Sequence, residues 1–144
     1  MTSAYLLPAL AQLLDGDSMG DAGVDLFVGH KPEQPYKVTA LFEYDAPAPV
    51  LTMGAAATAL DTQGVQVVTR GDVEDWQEAR NRATLFRDYL GALGGVQVTL
   101  TDGATTLATV NIVRVLVVSG VLSLGRDGNN CPEFSANLTA WVEP

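Results

Sequence analysis

The sequence predicts an α+β domain, a mostly antiparallel mixed sheet with a main helix and a short N-terminal helix packed on one face. Three observations carry this. One stretch has a strong helical period, several others alternate with the period of two that marks half-buried strands, and turn-forming residues separate them.

The helical stretch runs from Thr69 to Leu93. Its apolar residues Trp76, Ala79, Ala83, Phe86, Leu90 and Leu93 fall alternately three and four apart, which is one stripe of a helix expected over about 73–91. Asp72, after Gly71, stands where an N-cap belongs, and Glu74 and Asp75 would set negative charge against the unpaired N–H groups of the first turn. Gly94 and Gly95 mark the stop. The shorter helix is expected over Ser3 to Leu14, with Leu6, Ala9, Leu10, Leu13 and Leu14 on one side. Pro8 belongs in its first turn, where the missing N–H costs nothing, or else the helix kinks there.

Strand alternation begins with Val24, Leu26 and Val28 against Asp25, Phe27 and Gly29. Tyr36, Val38, Ala40, Phe42 and Tyr44 then alternate with Lys37, Thr39, Leu41, Glu43 and Asp45, giving an expected apolar face and a mostly polar one. The prolines of the run Gly29 to Pro35 make it a loop. Ala46 to Gln63, rich in Ala, Pro and Thr, has little period and is expected as a long excursion. Val65, Val67 and Thr69 alternate with Gln66, Val68 and Arg70 and lead into the main helix.

Val96, Val98 and Leu100 make a strand closed by the turn Thr101-Asp102-Gly103. Thr106 to Val118 is apolar on both parities toward its end, as expected of a strand buried on two faces or bent near Ser119-Gly120. Phe134, Ala136, Leu138, Ala140 and Val142 alternate with Ser135, Asn137, Thr139, Trp141 and Glu143 in the last strand. The turn before it, Leu124 to Asn130, contains Asp127-Gly128, a pair suited to positive φ.

At 144 residues the chain fits one domain, 1–144, and its 47% hydrophobic and 17% charged residues describe an ordinary folded protein. The net charge is −9, most one-sided early, where Lys31 and Lys37 face Asp15, Asp17, Asp21, Asp25, Glu33, Glu43, Asp45 and Asp61. No basic patch is present to grip nucleic-acid phosphates. A single cysteine, Cys131, leaves no internal disulfide and points to a reducing compartment. Neither a secretory h-region nor a bilayer-spanning run occurs, so the glycosylation pattern at Asn137-Leu138-Thr139 has no secretory context.

Chemical constellations are wanting. Asp15, Asp17 and Gly20 match the first, third and sixth positions of a calcium loop, but Met19 and Leu26 stand where oxygen ligands are needed. His30 is the only histidine, which excludes a histidine metal cage. Cys131 has no histidine near it in sequence and reads as a small buried or edge residue. There is no G-x-G-x-x-G, phosphate loop or nucleophile elbow. No catalytic residue, cofactor or metal is therefore expected. Arg80, Arg82 and Arg87, among Glu74, Asp75, Glu78 and Asp88, form either an interface set or a solubilising face. Trp141, on the otherwise polar parity of its strand, calls for a subunit contact or a second internal layer.

In order and spacing, Gly29-His-Lys-Pro-Glu-Gln-Pro, Val65-Gln-Val-Val-Thr-Arg-Gly with the helix after it, Leu124-Gly-Arg-Asp-Gly-Asn-Asn and Glu133-Phe-Ser-Ala-Asn-Leu-Thr-Ala-Trp-Val resemble the phage minor capsid or tail terminator family. The resemblance implies a structural virion protein, assembled in the host cytoplasm, that forms a hexameric ring on the end of a tail tube. It would stop tube polymerisation and offer a joining surface to the head connector, with DNA passing through its channel. The partners implied are other copies of the chain, the tail tube protein and a neck protein. Because loops on a rigid sheet carry variable contacts, the interface is expected first at the Gly29 to Pro35 loop, with His30 and Lys31, and at the Ala46 to Gln63 excursion, with Pro47 and Pro49, and second at Trp141, Arg80, Arg82 and Arg87. A head-tail adaptor of similar fold is the alternative, followed by a small-molecule-binding domain or minor enzyme.

Overall fold

The computed structural model describes residues 2–44, 50–51 and 58–143. A 3-10 turn, Thr2–Tyr5, leads into α1 (Leu6–Gly16). The strands are β1 (Leu26–Val28), β2 (Val38–Tyr44), β3 (Val50–Leu51), β4 (Thr58–Arg70), β5 (Gly94–Asp102), β6 (Thr105–Val117), β7 (Leu122–Arg126) and β8 (Pro132–Val142), with α2 (Trp76–Gly91) between β4 and β5. They form one sheet in the order β1-β2-β4-β8-β6-β5, with β3 beside β4 and β7 beside β8. Among the described strands β1 and β2 pair in parallel and the other pairings are antiparallel. This is the expected α+β fold.

Both helices lie on one face. Leu6, Leu7, Leu10 and Leu14 of α1 and Phe86 and Leu90 of α2 share a core with Leu41, Val65, Val67, Val98, Val110, Ile112, Leu138, Ala140 and Val142 of the sheet. Ala79 and Ala83 meet Phe134 in a smaller cluster. Ala79, Ala83, Phe86 and Leu90 of the main helix stripe are thus buried as its period requires, whereas Leu93 falls past the helix end and is half-buried, and the first member is exposed. Trp76 is 43% exposed and stands edge-on to Phe134, ring centroids 5.2 Å apart.

The helix start differs from expectation. Asp72 does not cap it: Asp72 and Asp75 close a turn through the Asp75 N–H, and Asp75 occupies the cap position without a side-chain cap bond. Gly71 forces this late start. A Cβ there would meet Ala79 Cβ at 2.8 Å and the Asp75 carbonyl at 2.9 Å, so the chain crosses the helix's first turns at closest approach before turning into it. At the far end α2 stops at Gly91 with Ala92 as C-cap, earlier than Gly94 and Gly95, which already open β5. The shorter helix also starts later than Ser3, and Pro8 sits in its first turn as expected.

The face of β2 that meets the helices is Thr39 and Leu41, not the apolar parity of Val38, Ala40 and Phe42. Leu41 pairs with Val67, which pairs with Ala136. Val38 and Ala40 are buried as well, and Arg70, the cross-strand partner of Val38, holds the loop before β2 on that side. The first strand is shorter than expected, and Val24 lies outside it, exposed. Thr58 to Gln63, expected within a long excursion, belongs to β4; Pro47 and Pro49 lie outside the described residues. Of the two readings of the stretch after Thr106, the bend holds. β6 and β7 run in the same sense along β8, separated by Val118 to Val121, where the Val118 and Ser119 N–H groups both reach the Asn137 carbonyl. In the β7–β8 turn positive φ falls at Gly125 and Asn130, not in Asp127-Gly128.

Candidate functional site

The Gly29 to Pro35 loop is pinned from below by Arg70, whose side chain is 3% exposed. Its Nε donates to the Tyr36 carbonyl at 2.8 Å, and its Nη2 donates to the carbonyls of Pro32, Pro35 and Glu33 at 2.5, 2.7 and 3.2 Å. The remaining nitrogen, Nη1, lies 3.8 Å from Asp127 Oδ2. A planar fork of fixed donors suits a loop whose prolines supply carbonyls and no N–H. Lys31 adds a half-buried ion pair with Glu133. Lys31 is therefore committed to holding the loop on β8, whereas His30 is exposed, its ring 5.1 Å from Phe27 in an edge contact. The structure presents His30 outward on a fixed loop.

The three helix arginines separate. Arg82 turns inward. Its Nη1 meets both oxygens of Glu78 at 3.0 Å, while Nη2 donates to the carbonyls of Val38 and Arg70 and so joins α2 to β2 and β4. Burial lowers its pKa from the ordinary value, against the raising effect of Glu78. Arg82 is thus a packing residue, because Gly71 brings the helix close enough to the strand ends for a guanidinium to bridge them. Arg80 is exposed without an ion pair among the described residues, and Arg87 pairs only with its neighbour Asp88 at 2.9 Å. Those two remain at the surface, on the flank of α2 opposite Glu78, which pairs with Arg82 and, at 3.3 Å, with Lys37.

Trp141 lies on the sheet face away from the helices, half-exposed, opposite Arg114 of β6 and Thr62 of β4. Near it, β6 and β7 carry exposed apolar residues, on both faces of the sheet, that alternation alone did not reveal. Val113, Leu116, Val117, Val118, Leu122 and Leu124 are all exposed, the last three by more than half. The apolar run on both parities was the available signal. No helix or loop among the described residues covers this stretch on both sides, so what reads as a doubly buried strand is in fact open. Leu116 and Leu122, opposite Thr139 and Ser135, stand exposed on the face that carries Trp141, whereas Val117, opposite Leu138, lies beside Gly91 on the helix face.

Chemistry finds little footing. Cys131 is buried, its N–H bonded to Asp127 Oδ1 at 2.9 Å, and burial pushes its thiol pKa up, away from the reactive thiolate. The acids after α1 serve the loop itself: Asp25 Oδ1 accepts the Asp21 N–H at 2.7 Å, Asp15 Oδ2 accepts the Ala22 N–H at 3.2 Å, and Asp17 accepts the Tyr89 hydroxyl. Among the described residues no group of three or more His, Cys, Asp or Glu is placed to hold a metal ion, and no helix is long and apolar enough to cross a membrane.

No family model and no curated protein matches the chain. Among solved structures it is similar to a chain of the virion of a native gene transfer agent (GTA) particle. That likeness has a TM-score of 0.65 at 15% identity and covers 100% of this chain and 98% of that one. A second solved chain overlaps more loosely, with a TM-score of 0.49 at 15% identity over 100% of this chain and 97% of the other. The first likeness shows a shared fold from end to end.

Proposed function

We propose that this chain is a structural virion protein, one domain over 1–144, that closes the end of a tail tube as a ring of identical copies, stops the tube growing and joins it to the head. The observation that carries the reading is the fold shared, over its whole length, with a chain of a virion particle. One feature supports it: Leu116, Val118, Leu122 and Leu124, exposed on β6, β7 and the bend between them, offer contact area to other copies.

The mechanism is geometric. A ring complementary to the last layer of the tube on one face, and different on the other, accepts no further tube subunit. His30, presented on a loop that Arg70 and Lys31 hold rigid, and Trp141, Arg80 and Arg87 are the described residues suited to such contacts; Pro47 and Pro49 complete the set. Asp15, Asp17, Asp21 and Asp25 would line the channel, where negative charge lets DNA slide past without the counterion release that basic walls promote. The location is the virion, at the junction of tail and head.

The test is to mix purified chain with tail tubes and image the tube ends. Rings at one end with growth arrested are the expected result, hexameric by mass. A strict monomer that ignores tube ends overturns the reading, and one that binds the head connector but leaves tube ends bare replaces it with the adaptor role.

A further inference from the structure

We propose that the cleft between the loop after α1, the start of β2 and the middle of α2 binds the amino-terminus of a partner polypeptide, through its α-ammonium and the carbonyl beside it. The site stands apart from the ring reading and needs no tail tube. The cleft has a volume of ≈ 480 Å³, and Asp15, Ser18, Asp21, Asp25, Lys37 and Arg82 line it. Its charges are unequally used. Lys37 and Arg82 both pair with Glu78, whereas the three aspartates make no ion pair among the described residues, and Asp25 acts on Arg82 only at longer range. Two of the carboxylates are also fixed in place. Asp25 Oδ1 accepts the Asp21 N–H and Asp15 Oδ2 the Ala22 N–H, which leaves the second oxygen of each open. Such a cleft favours a cationic group able to donate hydrogen bonds. Among the described residues its acids are not placed to hold a metal ion.

A recess of ≈ 30 Å³ shares Met19, Gly20, Asp25, Lys37 and Arg82 with the cleft and adds Val38, Thr39 and Phe86. Two polar groups on its walls lack partners. Thr39 is 3% exposed, and its hydroxyl bonds to nothing among the described residues. Arg82 Nε is buried with no acceptor. A buried polar group left open calls for a guest. Because Nε–H can only donate, that guest must carry an acceptor as well as a positive charge. A lysine ammonium or a guanidinium has no acceptor. An amino-terminus has one, since its ammonium and first carbonyl oxygen are close neighbours, and the recess has room for roughly two water-sized groups. The ammonium would donate to Asp25 Oδ2 and the Thr39 hydroxyl, and the carbonyl would accept from Arg82 Nε. From Ser18, Met19 and Arg82 a groove of ≈ 490 Å³ continues to Leu85, which is 57% exposed. It would take an apolar first side chain.

Amide NMR of the full-length chain tests this, at a pH below neutral where an α-amine is protonated. Glycinamide copies a chain start, N-acetylglycinamide lacks the ammonium, glycine stands for a free amino acid, and leucinamide adds an apolar side chain. Glycinamide at millimolar concentration should shift the Met19, Asp25 and Thr39 signals saturably, and N-acetylglycinamide should not. Glycine, whose carboxylate would face the aspartates, should bind more weakly. Leucinamide should bind more tightly, and Leu85→Ala should remove that gain while leaving glycinamide binding unchanged. Thr39→Val keeps the shape of the side chain, and Asp25→Asn keeps the oxygen that accepts the Asp21 N–H. Each should weaken glycinamide binding about tenfold. Should Asp25→Asn fail to fold, Asp21→Asn, whose side chain makes no hydrogen bond among the described residues, should weaken binding in the same direction. Absent shifts would mean that water alone fills the recess and overturn the inference. An equal response to N-acetylglycinamide, glycine binding as tightly as glycinamide, or unchanged affinity in the folded Thr39 and aspartate variants would overturn it too.

Discussion

Arg70 Nε donates to the Tyr36 carbonyl at 2.8 Å across 34 positions of sequence, and the same guanidinium gathers three more carbonyls from the loop between β1 and β2. Beside the Lys31–Glu133 ion pair, this side chain is the loop's main anchor. Arg70→Ala leaves the carbonyls without donors and a hole under the loop. The expected loss is about 3 kcal/mol or more by urea unfolding, with faster proteolysis within 29–37. Arg70→Lys should recover only part, since an ammonium cannot reproduce the planar fork. A change below about 1 kcal/mol for Arg70→Ala would show that the loop is held by other means.

Gly71 allows the helix to lie against the strand ends. Gly71→Ala would force a Cβ into Ala79 Cβ at 2.8 Å and the Asp75 carbonyl at 2.9 Å. Neither is the far end of a flexible side chain. Overpacking of this kind costs about 1–3 kcal/mol, to be read from the shift in urea midpoint at constant slope. Substitution at Gly16, where a Cβ meets nothing within 4 Å, is the control.

Much of the fold was legible because its elements declare themselves locally. The stripe Ala79, Ala83, Phe86 and Leu90 and the strand positions Phe134, Ala136, Leu138, Ala140 and Val142 have clean periods, and all of them are buried. What was not legible depends on distance in sequence. Alternation in β2 told two faces apart but not which one meets the helices, because Arg70 holds a loop on the other side. Asp72 has the chemistry of a cap, yet the close approach at Gly71 sets where the helix begins. Arg82 looked like a surface arginine on a charged face, and only the fold brings the Val38 and Arg70 carbonyls within its reach. Of the expected interface residues, His30, Trp141, Arg80 and Arg87 remain presented outward, while Lys31 and Arg82 are committed internally.

The helix orientation itself can be checked with two neighbouring residues. Phe86 is 1% exposed and Leu85 is 57% exposed. Phe86→Ala should cost about 3–5 kcal/mol, since it removes a ring from the centre of the larger core. Leu85→Ala should stay within about 0.5 kcal/mol. Equal effects at the two sites would mean that α2 is rotated from the face described.

Tyr89 gives the fold an alkaline signature. Desolvation, with a hydrogen bond to Asp17 and the charge of that carboxylate, pushes its phenol up from 10.0 to about 12. The folded chain thus favours the neutral phenol more than the unfolded chain does. The stabilisation is fully present below the ordinary value and fades as pH rises from there through the folded value. Ultraviolet titration of the phenolates should show a late component that Tyr89→Phe removes. Asp17→Asn takes away the carboxylate charge but leaves the desolvation, so it should move that component only part of the way down. A late component that survives Tyr89→Phe would assign the shift to another tyrosine and break the proposed tie between α2 and the loop after α1.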